Sequence, residues 1–423
     1  MGRNSITRRR FLESAATAVL AETLVACNRS SRDPKKRNVK IAVNGYASNA
    51  TKRLISDLGF TRQTGIEAEV LVRPTSTNEF ITQMISGIYA GTSPYDVIDF
   101  EDEAAVALSR PGWLLGLDDL LPTDFWADFP RPMLDMTEVW GRHNGETFRI
   151  HHNFEPSYWW YRKDWFENKG LAVPTSWSDV KALGEVFTDE AKGVWASEEG
   201  MVQGGLLNVY IAWVTKQAGG NPFEVAEPFS IALEYIYDLM YKNKVLNPAS
   251  LQKGYDQQNA DYLADRVAFM RQHPFFYDVS RAKTGWYSAE KVGLALPPVG
   301  SGGKAESTYA TGWGYGIPKT APNLSEAKEL LKFLVDKRNA SQMVSYSTWF
   351  LSARHSVLGA AGDKETAKYL KMYTDAGVVS TRPFHPNFVE ATAIIEDAAS
   401  AFLTNQVNLS GALSQARERL AHL

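Results

Sequence analysis

Short apolar runs that alternate with helical patterns fill the front of the chain, and this order constrains the fold more than any other feature. Val39, Ile41 and Val43 alternate with polar or small neighbours, as a half-buried strand requires, and residues 68–72 and 96–100 read as further short strands. Helical patterns lie between them. Parallel neighbours need a long crossover, so strand, helix, strand, helix predicts a largely parallel α/β sheet. Further on, Pro174-Thr175-Ser176 opens a helix with Ser176 as N-cap, Asp179 in the first turn, and Val180, Leu183, Val186 and Phe187 on one face. Another helix starts near Ser325 with Ala327, Leu330, Leu331 and Leu334 as its apolar face. Glu326 early and Lys337-Arg338 late would each suit the helix dipole. Ala391, Ile394, Ile395, Ala398 and Phe402 keep helical spacing, a last helix runs through residues 413–420, and no internal repeat is visible.

At 423 residues the chain has room for two or three domains, or two large lobes. Apolar residues make up 44% and charged residues 22%, a balance able to bury a large core, and aromatic residues reach 12%. A net charge of −3 leaves no basic surplus to neutralise a phosphate backbone, which argues against nucleic acid as a partner. The single Cys27 rules out an internal disulfide. Its position carries information. Thr7-Arg8-Arg9-Arg10-Phe11-Leu12 precedes a mild, Ala-rich stretch and resembles a twin-arginine export signal, and Leu24-Val25-Ala26-Cys27 matches a bacterial lipobox. Residues 1–26 are therefore expected to be a lipoprotein signal peptide and 27–37 a tether lipidated at Cys27. No other segment approaches the ~20 apolar residues of a membrane helix.

Several catalytic and metal motifs fail on inspection. Gly300-Ser301-Gly302-Gly303-Lys304 lacks the first glycine and the Ser/Thr of a phosphate loop and reads as a surface loop. The seven histidines form no HExxH, and His151 and His152 point to opposite sides if they lie on a strand, so no metal or other cofactor is expected. No GxSxG elbow is present. A carboxylate pair for glycoside hydrolysis remains open, because its ~5–10 Å separation is invisible in sequence.

Separated stretches resemble the extracellular solute-binding proteins of carbohydrate ABC transporters, the maltose- and trehalose-binding type. They are Tyr95-Asp96-Val97-Ile98 with Gly112-Trp113-Leu114-Leu115; Tyr161-Arg162-Lys163-Asp164-Trp165-Phe166 with Pro174-Thr175-Ser176-Trp177; Ala268-Phe269-Met270; Thr311-Gly312-Trp313-Gly314-Tyr315-Gly316; and Arg382-Pro383 through Asn387-Phe388. The resemblance implies an α/β, periplasmic-binding-protein-like (type II) fold of two lobes with a ligand cleft and hinge between them. It places 38–153 with 312–360 in one lobe and 154–311 with 361–423 in the other. It further implies a non-enzymatic, exported, lipid-anchored and monomeric subunit at the outer face of the cytoplasmic membrane or in the periplasm, with a carbohydrate as ligand and a membrane permease as partner.

The ligand set carried over by the resemblance is Tyr46, Thr77, Glu101, Glu155, Tyr210, His273, Phe275, Trp313, Tyr315 and Arg382. Carboxylates such as Glu101 and Glu155 accept hydroxyl hydrogen bonds, Trp313 between Gly312 and Gly314 offers a platform for a sugar ring, and Arg382 offers a forked donor. His273 stands where the trehalose-binding branch has Trp, and Ala212 replaces a carboxylate of that branch, which points away from trehalose. A glycerol-phosphodiester or another polyol is the alternative ligand. A glycoside hydrolase using Glu101 and Glu155 is the alternative of another class.

Overall fold

The computed structural model describes residues 37–300, 308–361 and 364–423. The expected signal peptide, Cys27 and the tether up to residue 36 lie outside these residues, as does the 300–304 loop beyond Gly300. No described helix is long and apolar enough to cross a membrane.

A first sheet has the strand order Glu67–Val72, Asn38–Val43, Val97–Glu101, Trp313–Gly316, Ile150–His151. Its first three strands are parallel, with Val39 beside Ala68 and Ile41 beside Val97, and helices Gly45–Asp57 and Thr77–Tyr89 make the crossovers. Period-two alternation sends Val39, Ile41, Val43 and Val97 into one core. Ala42, Ile98 and Phe100 pack on the opposite face with Phe80, Met84 and Leu108. Trp313–Gly316 runs antiparallel to both its neighbours. The parallel expectation therefore holds for the front of the chain and fails for the later strands, which enter from a distant segment rather than through a local helical crossover.

The second sheet, Val292–Ala295, Tyr158–Arg162, Val267–Gln272, Trp195–Ser197, is mixed. Tyr158, Trp159 and Trp160 are fully buried in it. Trp159 stacks on Phe269 at 4.8 Å, and the Trp160 indole N–H donates to the Gln272 carbonyl at 3.0 Å.

A third, bridging sheet joins the two, with Thr308–Thr311 between Val379–Thr381 and Glu155–Pro156. The chain leaves the first sheet at Ile150–His151, passes through Glu155–Pro156 and enters the second at Tyr158. It returns through Thr308–Thr311 and reaches Trp313–Gly316 after one intervening residue, Gly312. A Cβ at Gly312 would lie 2.7 Å from His151 Cδ2 and 2.9 Å from Met136 Cε, so only glycine fits without displacing neighbours. Buried Asp102 holds this crossing: it accepts from the Gly312 N–H at 3.1 Å and from Arg149 Nη1 at 2.8 Å, while Arg149 also donates to the Gly312 carbonyl.

Local signals translated well where they were local. Ser176 caps Trp177–Phe187 in a reciprocal capping box with Asp179, and Val180, Leu183 and Phe187 are buried. Helix Leu324–Val335 buries Ala327, Leu330, Leu331 and Leu334, but it ends before Lys337-Arg338. Asp336 is extended there and caps a new helix, Lys337–Met343, by accepting from the Arg338 and Asn339 N–H groups. The two cations thus lie in a first turn, the opposite end from that expected. An aspartate able to cap outweighs the mild dipole preference of two exposed cations.

Candidate functional site

Aromatic rings from segments far apart in the chain meet around Tyr46 and Trp349. Trp313, half-buried at the start of its strand, lies 5.0 Å from Trp349. Trp349 stacks on Tyr46 at 5.8 Å, and Tyr46 contacts Phe275 at 5.4 Å. Phe275 continues to Tyr255 at 6.3 Å. Asn44 positions Tyr46 by capping helix Gly45–Asp57 and accepting the Tyr46 N–H at 3.0 Å. From there the Tyr46 O–H donates to Asp256 Oδ1 at 2.8 Å, in the first turn of helix Tyr255–Leu263. Burial and the Asp256 carboxylate push the Tyr46 phenol up to about 12, so it stays a neutral donor at physiological pH.

A charged rim adjoins the rings. Glu101 ends the strand that pairs with Trp313. Arg73 Nη2 donates to its Oε2 and Thr77 Oγ1 to its Oε1. The Arg73 guanidinium also lies over the Trp313 ring at 4.7 Å and the Phe80 ring at 4.4 Å. Burial raises the Glu101 carboxyl above its ordinary range, while Arg73 and Thr77 pull it back.

On the opposite side, His273 and Arg271 follow one another on the same side of the strand end. Arginine can only donate, so Arg271 Nη1 at 3.1 Å makes His273 Nε2 the acceptor and the ring neutral. Burial, then Arg271 and Arg382, hold its pKa well below the ordinary value. Arg382 follows the strand Val379–Thr381 and donates through Nη1 to Glu103, in the first turn of helix Asp102–Ser109.

Three expected ligand residues lie in other surroundings. Glu155 is buried in the bridging sheet, with its backbone beside Thr311. Its Oε1 has no partner among the described residues, and burial, helped by Asp102 and Asp99, raises the carboxyl to about 8. Tyr210 is buried on helix Leu206–Gln217 and packs on Trp213 at 5.8 Å. Tyr315 is fully buried against the His152 ring at 4.6 Å. Tyr46, Thr77, Glu101, Phe275 and Trp313 form one continuous set of contacts with Arg73 and Trp349. His273 joins it through Tyr255, whose ring lies 6.1 Å away.

Sequence reasoning missed Arg73, Trp349, Tyr255, Asp256 and Arg271. Only Arg271 left a usable signal, since it stands two residues before His273 and so shares its side of an extended chain. His151 and His152 do take separate partners, Asp102 and Asp99. Among the described residues, no three His, Cys, Asp or Glu side chains converge as a metal site would require.

The family model described as bacterial extracellular solute-binding protein matches residues 44–341, more than half the chain. Among solved structures, maltose-bound MalE3 of T. maritima superposes with a TM-score of 0.77 at 21% identity, covering 91% of this chain and 99% of that one. An ABC transporter solute-binding protein of Thermotoga lettingae bound to alpha-D-tagatose gives 0.78 at 19% identity, with 91% and 98% covered. One from Agrobacterium vitis S4 with bound D-mannitol gives 0.75 at 20%, with the same coverage. These likenesses establish the two-lobe α/β fold. A protein of Deinococcus radiodurans named "Probable ABC transporter-binding protein" is 26% identical over 201 residues, 43% of this chain and 47% of that protein. The chain thus spans about half the length of this curated relative.

Proposed function

The chain belongs to the bacterial extracellular solute-binding protein family, and from that premise we propose that it is the substrate-binding subunit of an ABC importer for a carbohydrate or polyol. The observation that carries this reading is the meeting of Tyr46, Trp313 and Trp349 with Tyr255, Asp256 and Phe275, joined by the Tyr46–Asp256 hydrogen bond. Stacked rings with polar edges suit a sugar, whose faces are apolar and whose rim carries hydroxyls. In this reading 38–153 with 312–360 and 154–311 with 361–423 are the lobes, and the bridging sheet is the hinge. A ligand that contacts both lobes binds the closed state better and shifts the population toward it. The closed form is then handed to a membrane permease.

Export through the twin-arginine-like signal, lipid attachment at Cys27 and a monomeric state complete the proposal. Relatives bound to maltose, tagatose and mannitol support the ligand class. Hydrolysis by Glu101 and Glu155 has less support: both Glu101 oxygens are already engaged by Arg73 and Thr77, and Glu155 sits within the bridging sheet. A thermal-shift screen of mono-, di- and trisaccharides and polyols tests the reading, since a ligand at a hundred times its Kd adds about 2.7 kcal/mol of stability. Product analysis of the same mixtures should show no cleavage. Turnover of any sugar would overturn the assignment.

A further inference from the structure

Six arginines are buried among the described residues: Arg73, Arg149, Arg162, Arg271, Arg354 and Arg382. Five have a carboxylate in contact. Arg73 has Glu101, Arg149 has Asp102, Arg162 has Asp164 and Asp265, Arg354 has Asp128, and Arg382 has Glu103. Arg271 differs. Its guanidinium donates to Ser157 Oγ at 3.1 Å, His273 Nε2 at 3.1 Å and Tyr255 Oη at 2.7 Å, all neutral, and its Nε has no partner. Leaving a buried cation without a counter-charge is expensive, which is why such charges are normally paired.

We propose that the ligand carries an oxyanion, a carboxylate or a phosphate on a sugar or polyol frame, and that Arg271 and Arg382 receive it at the cleft floor. This deepens, and rests on, the solute-capture reading above. Arg382 contributes because Glu103 engages only Nη1, while its buried Nε and Nη2 have no partner among the described residues. Both cations act on the same groups, His273, Tyr255 and Tyr309. Tyr255 in turn leads through Phe275 to the aromatic cluster, so an anion at the arginines would place its sugar frame against the rings.

Among the described residues the nearby carboxyls make no direct contact with the Arg271 guanidinium, whose partners are Ser157, His273 and Tyr255. Glu199 accepts the Arg271 backbone N–H at 2.7 Å without hydrogen-bonding the guanidinium; burial lifts its carboxyl to about 8 against the opposing pull of the Arg271 charge. Burial raises Glu155 to about 8 as well, which weakens its charge at neutral pH. His273 is neutral. In direct contact, the two guanidinium groups thus share a single carboxylate, Glu103. Planar forked donors of this kind match the geometry of carboxylate and phosphate oxygens.

Calorimetric titration of the full chain with matched sets decides the matter: glucose, glucuronate and glucose 6-phosphate; galactose and galacturonate; maltose and maltobionate; glycerol and glycerol 3-phosphate. The expected result is at least a tenfold preference for an anionic member over its neutral parent, and the carboxylate and phosphate arms identify which oxyanion is taken. Arg271→Met should abolish the preference without lowering the melting temperature. If that variant fails to fold, the wild-type comparison still decides. Neutral sugars binding as tightly as their anionic partners would overturn the oxyanion inference and leave solute capture standing. Failure of every neutral and anionic member to bind would overturn both.

Discussion

Removing one oxygen atom tests whether the two lobes communicate through Tyr46. In Tyr46→Phe the ring keeps its contacts with Trp349 and Phe275, and only the donor to Asp256 Oδ1 is lost. A buried hydrogen bond to a charged acceptor contributes about 1.5–3 kcal/mol. Tyr46 is 50% exposed, so water competes for the carboxylate and the value falls to roughly 1 kcal/mol. In the proposed lobe division the bond joins residues of different lobes and would form only on closure. Its loss therefore penalises the closed state alone, and ligand affinity should weaken about fivefold. Because the phenol titrates only near 12, the effect should be constant from pH 6 to pH 9. Calorimetry on wild type, Tyr46→Phe, Asp256→Asn and the double variant, with the best ligand from the screen, should give a coupling energy of about 1 kcal/mol. Unchanged affinity, or a loss of folding stability as large as the loss of binding, would refute closure through this contact.

Trp313→Ala should weaken sugar binding by about 2–4 kcal/mol while lowering folding stability much less, because a half-buried platform gains most of its burial from the ligand; equal losses in titration and denaturant melts would return Trp313 to the core. Glu155 has a folded pKa near 8 against an ordinary value of 4.5, so the folded state holds the extra proton. Its contribution is complete below about pH 4.5 and is lost as pH rises toward 8, at no more than ~1.4 kcal/mol per pH unit. Glu155→Gln should flatten that fall in melts taken from pH 5 to pH 8; an unchanged slope refutes the assignment. Cys27→Ser should leave export intact and abolish lipid attachment, and a variant still found in the detergent phase would exclude the lipobox.

What the sequence revealed followed the range of the interaction that produces it. The Ser176 cap was readable because Ser176 and Asp179 satisfy each other within one turn. The first strand was readable because the alternation of Val39, Ile41 and Val43 is local, and the next two because each is a short run of strand-forming residues. The end of the helix at Val335 was not, since helical spacing continues past Asp336 and only the cap geometry shows the break. Trp313 was noticeable between two glycines, but its neighbours Arg73 and Trp349 come from remote segments that carry no shared pattern. Tyr315 shares Trp313's side of the strand, yet lies two residues deeper against His152, a depth that alternation alone does not encode. That no carboxylate contacts the Arg271 guanidinium is a statement about three-dimensional neighbours, so no spacing could have shown it.

The return of the chain through Gly312 also bears on how the molecule is assembled. The strand Trp313–Gly316 lies between Val97–Glu101 and Ile150–His151, so during synthesis the latter has no neighbour in its sheet until more than three hundred residues have been made. The first sheet cannot be completed by its own N-terminal segment, and no contiguous fragment contains it without also containing the strands of the second. The sequence separation of these contacts makes their closure slow and joins the two halves in folding. A fragment ending before residue 313 would leave two strand edges unpaired, with the aggregation hazard that exposed edges bring.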